Sequence, residues 1–337
     1  MEEFTVNVDV PVAHMQNLFG NHDSYIRKIE DDLRVAIVNR DGVVKISGDK
    51  EAVMRASHVM HELIALSERG NVLEEQSVNY AIEMENESDE DVLLEIDGDC
   101  ICHTVSGKPI KPKTLGQKQY VDAIRDHMIV FGIGPAGTGK TYLAMAMAIT
   151  AFKNNEVSRI ILTRPAIEAG EKLGFLPGDL QSKVDPYLRP LYDALYQIMG
   201  AESFTKNMEK GLIEVAPLAY MRGRTLDNAY IILDEAQNTT PAQMKMFLTR
   251  IGFGSKVVVT GDASQKDLMP DTKSGLDVAA KVLSKIDDIA FCKLSSKDVV
   301  RHPLVQKIVR AYDEYESKEK RRSESKMRSR NYERGKK

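Results

Sequence analysis

The chain has 337 residues, of which 42% are hydrophobic and 28% are charged, and its formal net charge is −4. This length indicates about two domains, because a single hydrophobic core rarely grows beyond ~250 residues. No apolar stretch is long enough for a membrane helix, the first residues MEEFTVNVDV do not form a secretory signal, and three cysteines are too few for a disulfide framework. These features exclude membrane-spanning and disulfide-rich secreted proteins, and they predict a cytoplasmic protein.

Residues 1–70 predict a small α+β domain. Apolar residues recur at helical spacing from Ala52 to Leu66 and indicate its last helix, while Asp41 and Gly42 indicate a hairpin turn between two strands. The other expected elements are a strand at 5–10, a helix from residue 13, a helix at 24–31, and strands at 35–39 and 43–47.

Residues 71–112 predict an acidic linker. Nine side chains between 83 and 99 are acidic and none is Lys or Arg, with only weak strand character at 92–96. Such a composition favours a solvated segment, because it offers little apolar surface to bury. At its end, Cys100, Cys102 and His103 indicate either half of a metal site or a strand with small side chains.

The segment 113–315 predicts a larger α/β domain. Short apolar strands alternate there with amphipathic helices, a pattern typical of a parallel sheet covered by helices on both faces. In such a fold ligands bind beyond the carboxyl ends of the strands, so the chemistry is expected in the loops that follow them. The strands are expected at 129–133, 160–163, 213–215, 230–233, 257–260 and 289–294.

The loop after the first of these strands predicts a phosphate site. Its sequence GPAGTGKT matches G-x-x-x-x-G-K-[ST] between a strand and a helix, where backbone N–H groups and the helix dipole surround phosphates. Lys140 is expected to reach the β- and γ-phosphates of ATP, and Thr141 to hold Mg²⁺. The loop consists of Gly134, Pro135, Ala136, Gly137, Thr138, Gly139, Lys140 and Thr141.

The sequence LDEAQNTT places two carboxylates at the end of another strand. Asp234 is expected to hold the metal together with Thr141, and Glu235 to position or activate water. A helix cap is the alternative for such a pair.

Two glutamines accompany these carboxylates. Gln237 lies in the same loop, and Gln265 ends the loop GDASQ after the next strand. Neutral amides near a γ-phosphate suit a switch that reports hydrolysis to another ligand. For Gln237, a helix-start residue is the alternative.

These motifs together resemble the PhoH family of ATPases. The matching blocks cover about residues 113–315, and DEAQ with GDASQ is similar to motifs II and III of superfamily 1 helicases. The resemblance implies a RecA-like P-loop NTPase core with a parallel sheet and an RNA-linked, helicase-like activity. The blocks are GPAGTGKT, TRPAIEAGEKLGFLPGDLQSKVDPYLRPLYDAL, APLAYMRGRT, LDEAQNTT, MKMFLTRIGFGSK and VVRHPLV.

The resemblance also implies roles for residues outside these loops. Gln117, or alternatively Gln119, would recognise adenine. Arg301 would contact the γ-phosphate as an arginine finger, and Arg250 is a weaker candidate. Because no second RecA-like core follows residue 315, the finger is expected from a neighbouring subunit of a homo-oligomeric ring, a hexamer as in many single-core RecA-like motors.

Contacts to RNA are expected in the same domain and in its tail. The glycine-punctuated segment 170–178, with Lys172, Arg164 and Arg224, is either an RNA contact facing a central pore or a rigid loop between subunits. Residues 316–337 carry ten basic and four acidic side chains and predict a disordered tail. Its arginines would add salt-dependent affinity for RNA, or only solubility; they include Arg321, Arg322, Arg328 and Arg330.

The first domain resembles a KH module, which clamps the backbone of single-stranded nucleic acid with a GXXG loop. The corresponding residues here are GNHD at 20–23, so Asp23 replaces the second glycine and would repel phosphate. RNA binding and subunit docking are both open for this KH-like domain.

The leading hypothesis is an Mg²⁺-dependent ATPase that couples hydrolysis to binding or remodelling RNA. The family resemblance adds RNA or ribosome maturation, with a ribonuclease partner. An ATPase that switches or assembles partner proteins without RNA is the alternative, and a phosphotransferase is disfavoured by the two glutamines.

Overall fold

The computed structural model describes residues 4–40, 43–85, 92–165, 180–269 and 271–301, with seven further positions between 304 and 315. The turn predicted at Asp41 and Gly42, the segment 170–178 with Lys172, and the basic tail from 316 lie outside the described residues. No helix in the described ranges is long and apolar enough to cross a membrane.

The N-terminal unit is a three-stranded antiparallel sheet covered by helices. Strand β3 lies between β1 and β2, with Val8 opposite Val44 and Ile37 opposite Ile46. The predicted order of elements is confirmed, with bounds that differ by one or two residues at most ends. The elements are β1 Phe4–Asp9, α1 Val12–Phe19, α2 Ser24–Leu33, β2 Ala36–Arg40, β3 Val43–Gly48 and α3 Lys50–Glu68.

Helix α3 joins this sheet to the next segment. Asp49 caps its start. The Asp49 side chain accepts a hydrogen bond from the backbone N–H of Glu51, which satisfies one of the free donors at a helix start. Val53, Ala56, Met60 and Leu63 recur at a spacing of three or four residues and are fully buried on one face of the helix.

The prediction of a solvated linker with a strand at 92–96 is wrong for this part of the segment. Helices α4 Glu75–Glu85 and α5 Val92–Gly98 pack on α3 instead. Leu93 and Ile96 are both buried in the N-terminal core, and a spacing of three residues puts them on one face of a helix. The acidic residues between the apolar positions concealed this pattern in the sequence. The short strand expected around Cys102 is confirmed: β4 Cys102–His103 pairs with β5 Pro109–Ile110.

An ion pair and a hydrogen bond connect this segment to the larger unit. Asp99 accepts hydrogen bonds from both terminal nitrogens of Arg125, at 2.5 and 2.8 Å, and this guanidinium holds the pKa of Asp99 below its ordinary value. The backbone N–H of Leu115 donates to the hydroxyl of Tyr80 on α4. The helices after α3 therefore contact the start of the second unit directly.

The larger unit is a six-stranded parallel sheet, as predicted. The strand order is β11-β6-β10-β9-β7-β8, and β6 pairs on its two sides with β10 and β11. The strands are β6 Ile129–Ile133, β7 Arg159–Arg164, β8 Ile213–Pro217, β9 Ala229–Leu233, β10 Lys256–Gly261 and β11 Ile289–Lys293. The helices are α6 Leu115–Asp126, α7 Lys140–Lys153, α8 Leu180–Met199, α9 Ala201–Glu209, α10 Pro241–Leu248 and α11 Gly275–Val282.

Helices cover both faces of this sheet. Along β7, Ile160 and Leu162 pack with α7 and α8, whereas Ile161 between them packs with α10 and α11. Alternate burial on two apolar faces explains why the strands read as continuous apolar runs. Because all six strands are parallel, the loops after β6, β9 and β10 lie together at the carboxyl ends of the strands.

Candidate nucleotide site

Residues 134–139 form a tight loop between β6 and α7. Gly137 and Gly139 have φ angles of +86° and +76°, a left-handed conformation that residues with a Cβ rarely adopt. At Gly134 the constraint is space, since a Cβ would lie 2.5 Å from the carbonyl oxygen of Leu294. The loop leads into the amino end of a 14-residue helix, whose dipole favours an anion.

Lys140 lies at the start of α7 and its side chain folds back onto the loop. Its ammonium nitrogen donates to the carbonyl oxygens of Gly134 and Pro135, both at 2.7 Å, and to Thr138 Oγ1 at 3.2 Å. Burial lowers the pKa of Lys140, and three carboxylates from the neighbouring loops oppose that shift. The loop thus holds a buried cation where the motif requires one for phosphate.

Three oxygen atoms converge beside this loop. The hydroxyls of Thr141 and Thr260 both donate to Asp234 Oδ1, at 2.7 and 2.8 Å. Hydroxyl and carboxylate oxygens are the ligands that Mg²⁺ takes in P-loop proteins. These residues therefore fit the predicted metal site. Thr260 was not predicted, although its position at the end of an apolar strand was a usable signal.

Glu235 follows Asp234 in a left-handed backbone conformation, with φ of +54°. Such a conformation is uncommon for a residue with a Cβ and costs energy unless the surroundings hold it. Its carboxylate accepts a hydrogen bond from Gln237 Nε2 and lies 3.4 Å from Arg164 Nη2. Glu235, Asp234, Lys140 and Gln265 line one cavity of about 280 Å³ with the phosphate loop.

Gln237 is completely buried, and both ends of its amide are used by the protein. Besides Glu235, its Nε2 donates to the carbonyl oxygen of Gln265 at 3.1 Å, and its Oε1 accepts from the backbone N–H of Asp262 at 3.0 Å. Sequence reasoning expected this amide near the γ-phosphate. The structure makes it a bridge between the DEAQ and GDASQ loops, and its nearness to the γ-phosphate stays a prediction.

We expect Gln237→Leu to lower the free energy of unfolding by about 1–3 kcal/mol, because it leaves the buried backbone N–H of Asp262 without a partner. Chemical denaturation measures this loss. Gln265→Ala is the matched control, since the Gln265 side chain is exposed and its removal should leave stability unchanged. Equal stability of the two variants would contradict the bridge.

Asp262 is a site residue that sequence reasoning missed. Its Oδ2 accepts a hydrogen bond from the backbone N–H of Ala136 at 3.0 Å, and its Oδ1 accepts from the backbone N–H of Ser264 at 2.9 Å. The GDASQ loop is therefore bonded to the phosphate loop on one side and to Gln237 on the other. An aspartate directly after an apolar strand was the available signal.

Gln117, the predicted adenine contact, is buried behind the phosphate loop. Its Nε2 donates to the carbonyl oxygen of Thr138 at 3.1 Å, and its Oε1 accepts from the backbone N–H of Lys113 at 2.8 Å. The amide thus supports the loop, and contact with adenine stays a prediction. Gln119 is exposed on the same helix.

Arg301 contacts the phosphate loop of its own chain. Its Nη2 donates to the carbonyl oxygen of Ala136, and the backbone N–H of Val300 donates to the carbonyl oxygen of Gly137 at 3.0 Å. This contact within one chain does not support the expectation that the arginine arrives from a neighbouring subunit, because the segment after β11 folds across the loop of its own chain. A ring of subunits stays a prediction without that support.

The other predicted arginines have partners elsewhere. Arg224 forms a two-pronged ion pair with Glu214, at 2.5 and 2.7 Å. Arg250 donates to the carbonyl oxygen of Arg224, near the amino end of β9. This end is opposite the phosphate loop, so Arg250 does not reach the nucleotide site of its own chain.

The loop GNHD in the N-terminal unit lies between α1 and α2. His22 and Asp23 both have positive φ, of 54° and 59°, and their side chains are exposed. The Asp23 carboxylate forms no capping hydrogen bond at the start of α2. Repulsion of phosphate by Asp23 stays a prediction.

The parallel sheet, the glycine loop and the Thr141–Asp234 pair define a P-loop NTPase fold of the RecA-like type. The PhoH-like protein family matches residues 109–313, and the KH domain family matches residues 5–62. The chain belongs to the PhoH family. It combines this family's core with a KH domain, a fold that binds single-stranded nucleic acid.

Two of the relatives match nearly the whole chain, and a third matches about three fifths of it. A PhoH-like protein of Bacillus subtilis is 55% identical over 297 residues, which cover 88% of this chain and 93% of that protein. A PhoH-like protein of Mycobacterium tuberculosis is 55% identical over 315 residues, covering 92% and 88%. Protein PhoH of Escherichia coli is 45% identical over 206 residues, covering 60% and 58%.

Several solved structures overlap part of the chain. One of them is the Sulfolobus solfataricus SWI2/SNF2 ATPase core in complex with dsDNA, with 18% identity, a TM-score of 0.29, and coverage of 43% of this chain and 31% of that one.

Proposed function

We propose that this protein hydrolyses ATP with Mg²⁺ and couples hydrolysis to binding or remodelling RNA. The phosphate loop, Lys140 and the Thr141–Asp234 pair support nucleotide and metal binding, and the KH domain supports RNA binding. Maturation of RNA or ribosomes, with a ribonuclease partner and a ring of subunits, belongs to the same proposal.

The residues of the site divide the work of hydrolysis. Mg²⁺ would neutralise charge that develops on the phosphates. Lys140 binds the β- and γ-phosphate oxygens in place of its present carbonyl partners, and Glu235 orients water for attack on the γ-phosphate. Gln237 donates a hydrogen bond to the Glu235 carboxylate and accepts one from Asp262, so it fixes the position of Glu235 relative to the GDASQ loop.

One observation supports the proposed coupling between RNA binding and ATP hydrolysis. The segment 299–301 is bonded to the phosphate loop through Val300 and Arg301, and the carbonyl oxygen of Val299 accepts a hydrogen bond from Gln76 Nε2 at 3.2 Å. Gln76 belongs to α4, which packs on the helix that closes the KH domain. A shift of the KH domain on RNA therefore has a direct path to the phosphate loop.

The test is the steady-state ATPase rate with and without single-stranded RNA, at low and moderate salt. We expect RNA to stimulate the parent protein. Gln76→Ala should keep the basal rate and lose most of the stimulation, because the link to Val299 is gone. Gln197→Ala is the matched control, since this glutamine is exposed on α8 and has no predicted role at the nucleotide site.

The outcomes separate two classes of function. Stimulation that persists in Gln76→Ala would overturn the proposed path, although not the coupling itself. An ATPase rate that ignores RNA under all conditions would overturn the coupling and favour an ATPase that switches partner proteins.

A further inference from the structure

The connection between β8 and β9 exposes an aromatic ring and a cation two residues apart in sequence. Leu218 and Met221 are buried under the sheet, whereas Tyr220 between them is 47% exposed. Arg222 is also exposed and forms no ion pair among the described residues. Arg224, by contrast, is held by Glu214.

The backbone beside these side chains is open. Gly223 has a φ of +77°, and no atom lies within 4 Å of the position that a Cβ would occupy. A ligand could therefore approach the main chain closely at this point, as glycine permits.

Helix α10 extends the same surface. It contacts the turn Leu218–Met221, and it buries Met244 and Phe247 while Lys245 is exposed. Residues 215–226 and 236–261 together contain no Asp or Glu. The surface of Tyr220, Arg222, Gly223 and Lys245, which we call the Tyr220 surface, is thus cationic in its local sequence.

Helix α10 connects the Tyr220 surface to the nucleotide site. Helix α10 begins at Pro241, directly after the DEAQNTT loop, and Thr240 caps it through a reciprocal pair of hydrogen bonds with Gln243. Displacement of α10 therefore moves the loop that carries Glu235 and Gln237.

We propose that the Tyr220 surface binds single-stranded RNA, with a base stacked on Tyr220 and backbone phosphates bound by Arg222 and Lys245. An exposed aromatic ring beside cations is the arrangement by which proteins hold single strands without reading their sequence. This inference rests on the proposed function, and it identifies where the ATPase core itself takes the RNA.

The experiment uses the full chain and a fluorescein-labelled oligouridylate of 12 nucleotides. Binding is measured by anisotropy with a non-hydrolysable ATP analogue, and ATPase stimulation is measured in parallel. We expect Tyr220→Ala to raise the RNA concentration for half-maximal stimulation roughly tenfold, since loss of a stacked base typically has an effect of this size. Tyr220→Phe should retain the parent value because it keeps the ring.

Arg222→Gln tests the phosphate contact separately. We expect it to reduce the slope of log affinity against log salt concentration by about 0.7, the value for one contact to a single strand. The matched controls are Phe253→Ala and Lys285→Gln. They alter exposed residues that precede β10 and β11, at the amino ends of the strands. Both controls should behave as the parent, and all variants should keep the basal ATPase rate.

The outcomes distinguish this inference from the proposal on which it depends. RNA stimulation that is unchanged in both Tyr220→Ala and Arg222→Gln would overturn the inference alone. The same loss in Tyr220→Phe as in Tyr220→Ala would also overturn it, because stacking needs only the ring. A parent protein that neither binds RNA nor responds to it would overturn the proposed function and this inference together.

Discussion

Arg301→Ala should lower the rate of ATP hydrolysis by about 10³-fold or more while leaving ATP binding largely intact. An arginine that reaches the γ-phosphate is worth about 10³- to 10⁵-fold in turnover. Arg301 already lies on the phosphate loop through Ala136.

The position of Arg301 within its own chain makes a second, sharper result testable. Mixing Arg301→Ala with Lys140→Ala subunits should not restore hydrolysis at any ratio, because each intact site needs both residues from one chain. Arg250→Ala is the matched control and should keep the parent rate. Recovery of activity in the mixture would show that a neighbouring subunit supplies the arginine after all.

Glu235→Gln should retain ATP and hydrolyse it about 10²- to 10⁴-fold more slowly, the usual contribution of a positioned base. The substitution keeps the size of the side chain and removes the charge that orients water. Binding of a fluorescent ATP analogue and single-turnover hydrolysis separate the two effects. Glu209→Gln, on the exposed end of α9, is the control with the same chemical change.

Normal turnover in Glu235→Gln would remove Glu235 from the water-positioning role. The next carboxylate to test would then be Asp262, which is bonded to the phosphate loop at Ala136.

The strands of the core could be predicted because each is a short apolar run with helices on both sides. The β6 prediction agrees at both ends, and the carboxyl-end rule placed the loops after β6, β9 and β10 at one site. The helix at Val92–Gly98 could not be recognised in the same way. Only two of its apolar side chains, Leu93 and Ile96, are described as buried, and acidic residues surround them in the sequence.

The site was predictable as far as its motifs extend. Lys140, Thr141, Asp234 and Glu235 lie together as their spacing indicated. Gln237 shows the limit of that reasoning, because a motif says that an amide is needed and does not say which partners it meets. The contact of Arg301 depends on how the chain turns after β11, and the sequence alone does not specify that path.

The nucleotide pocket is built from residues that are far apart in the sequence, and this affects when it forms during synthesis of the protein. Arg301 and Ala136 are separated by 165 residues along the chain, and β10, the partner of β6 beside the loop, is also made long after it. A nascent chain that has just exposed its phosphate loop therefore lacks the walls of the nucleotide pocket. The cavity is complete only when Gln265, its last lining residue along the chain, has left the ribosome, so products truncated before it carry the motif without the pocket.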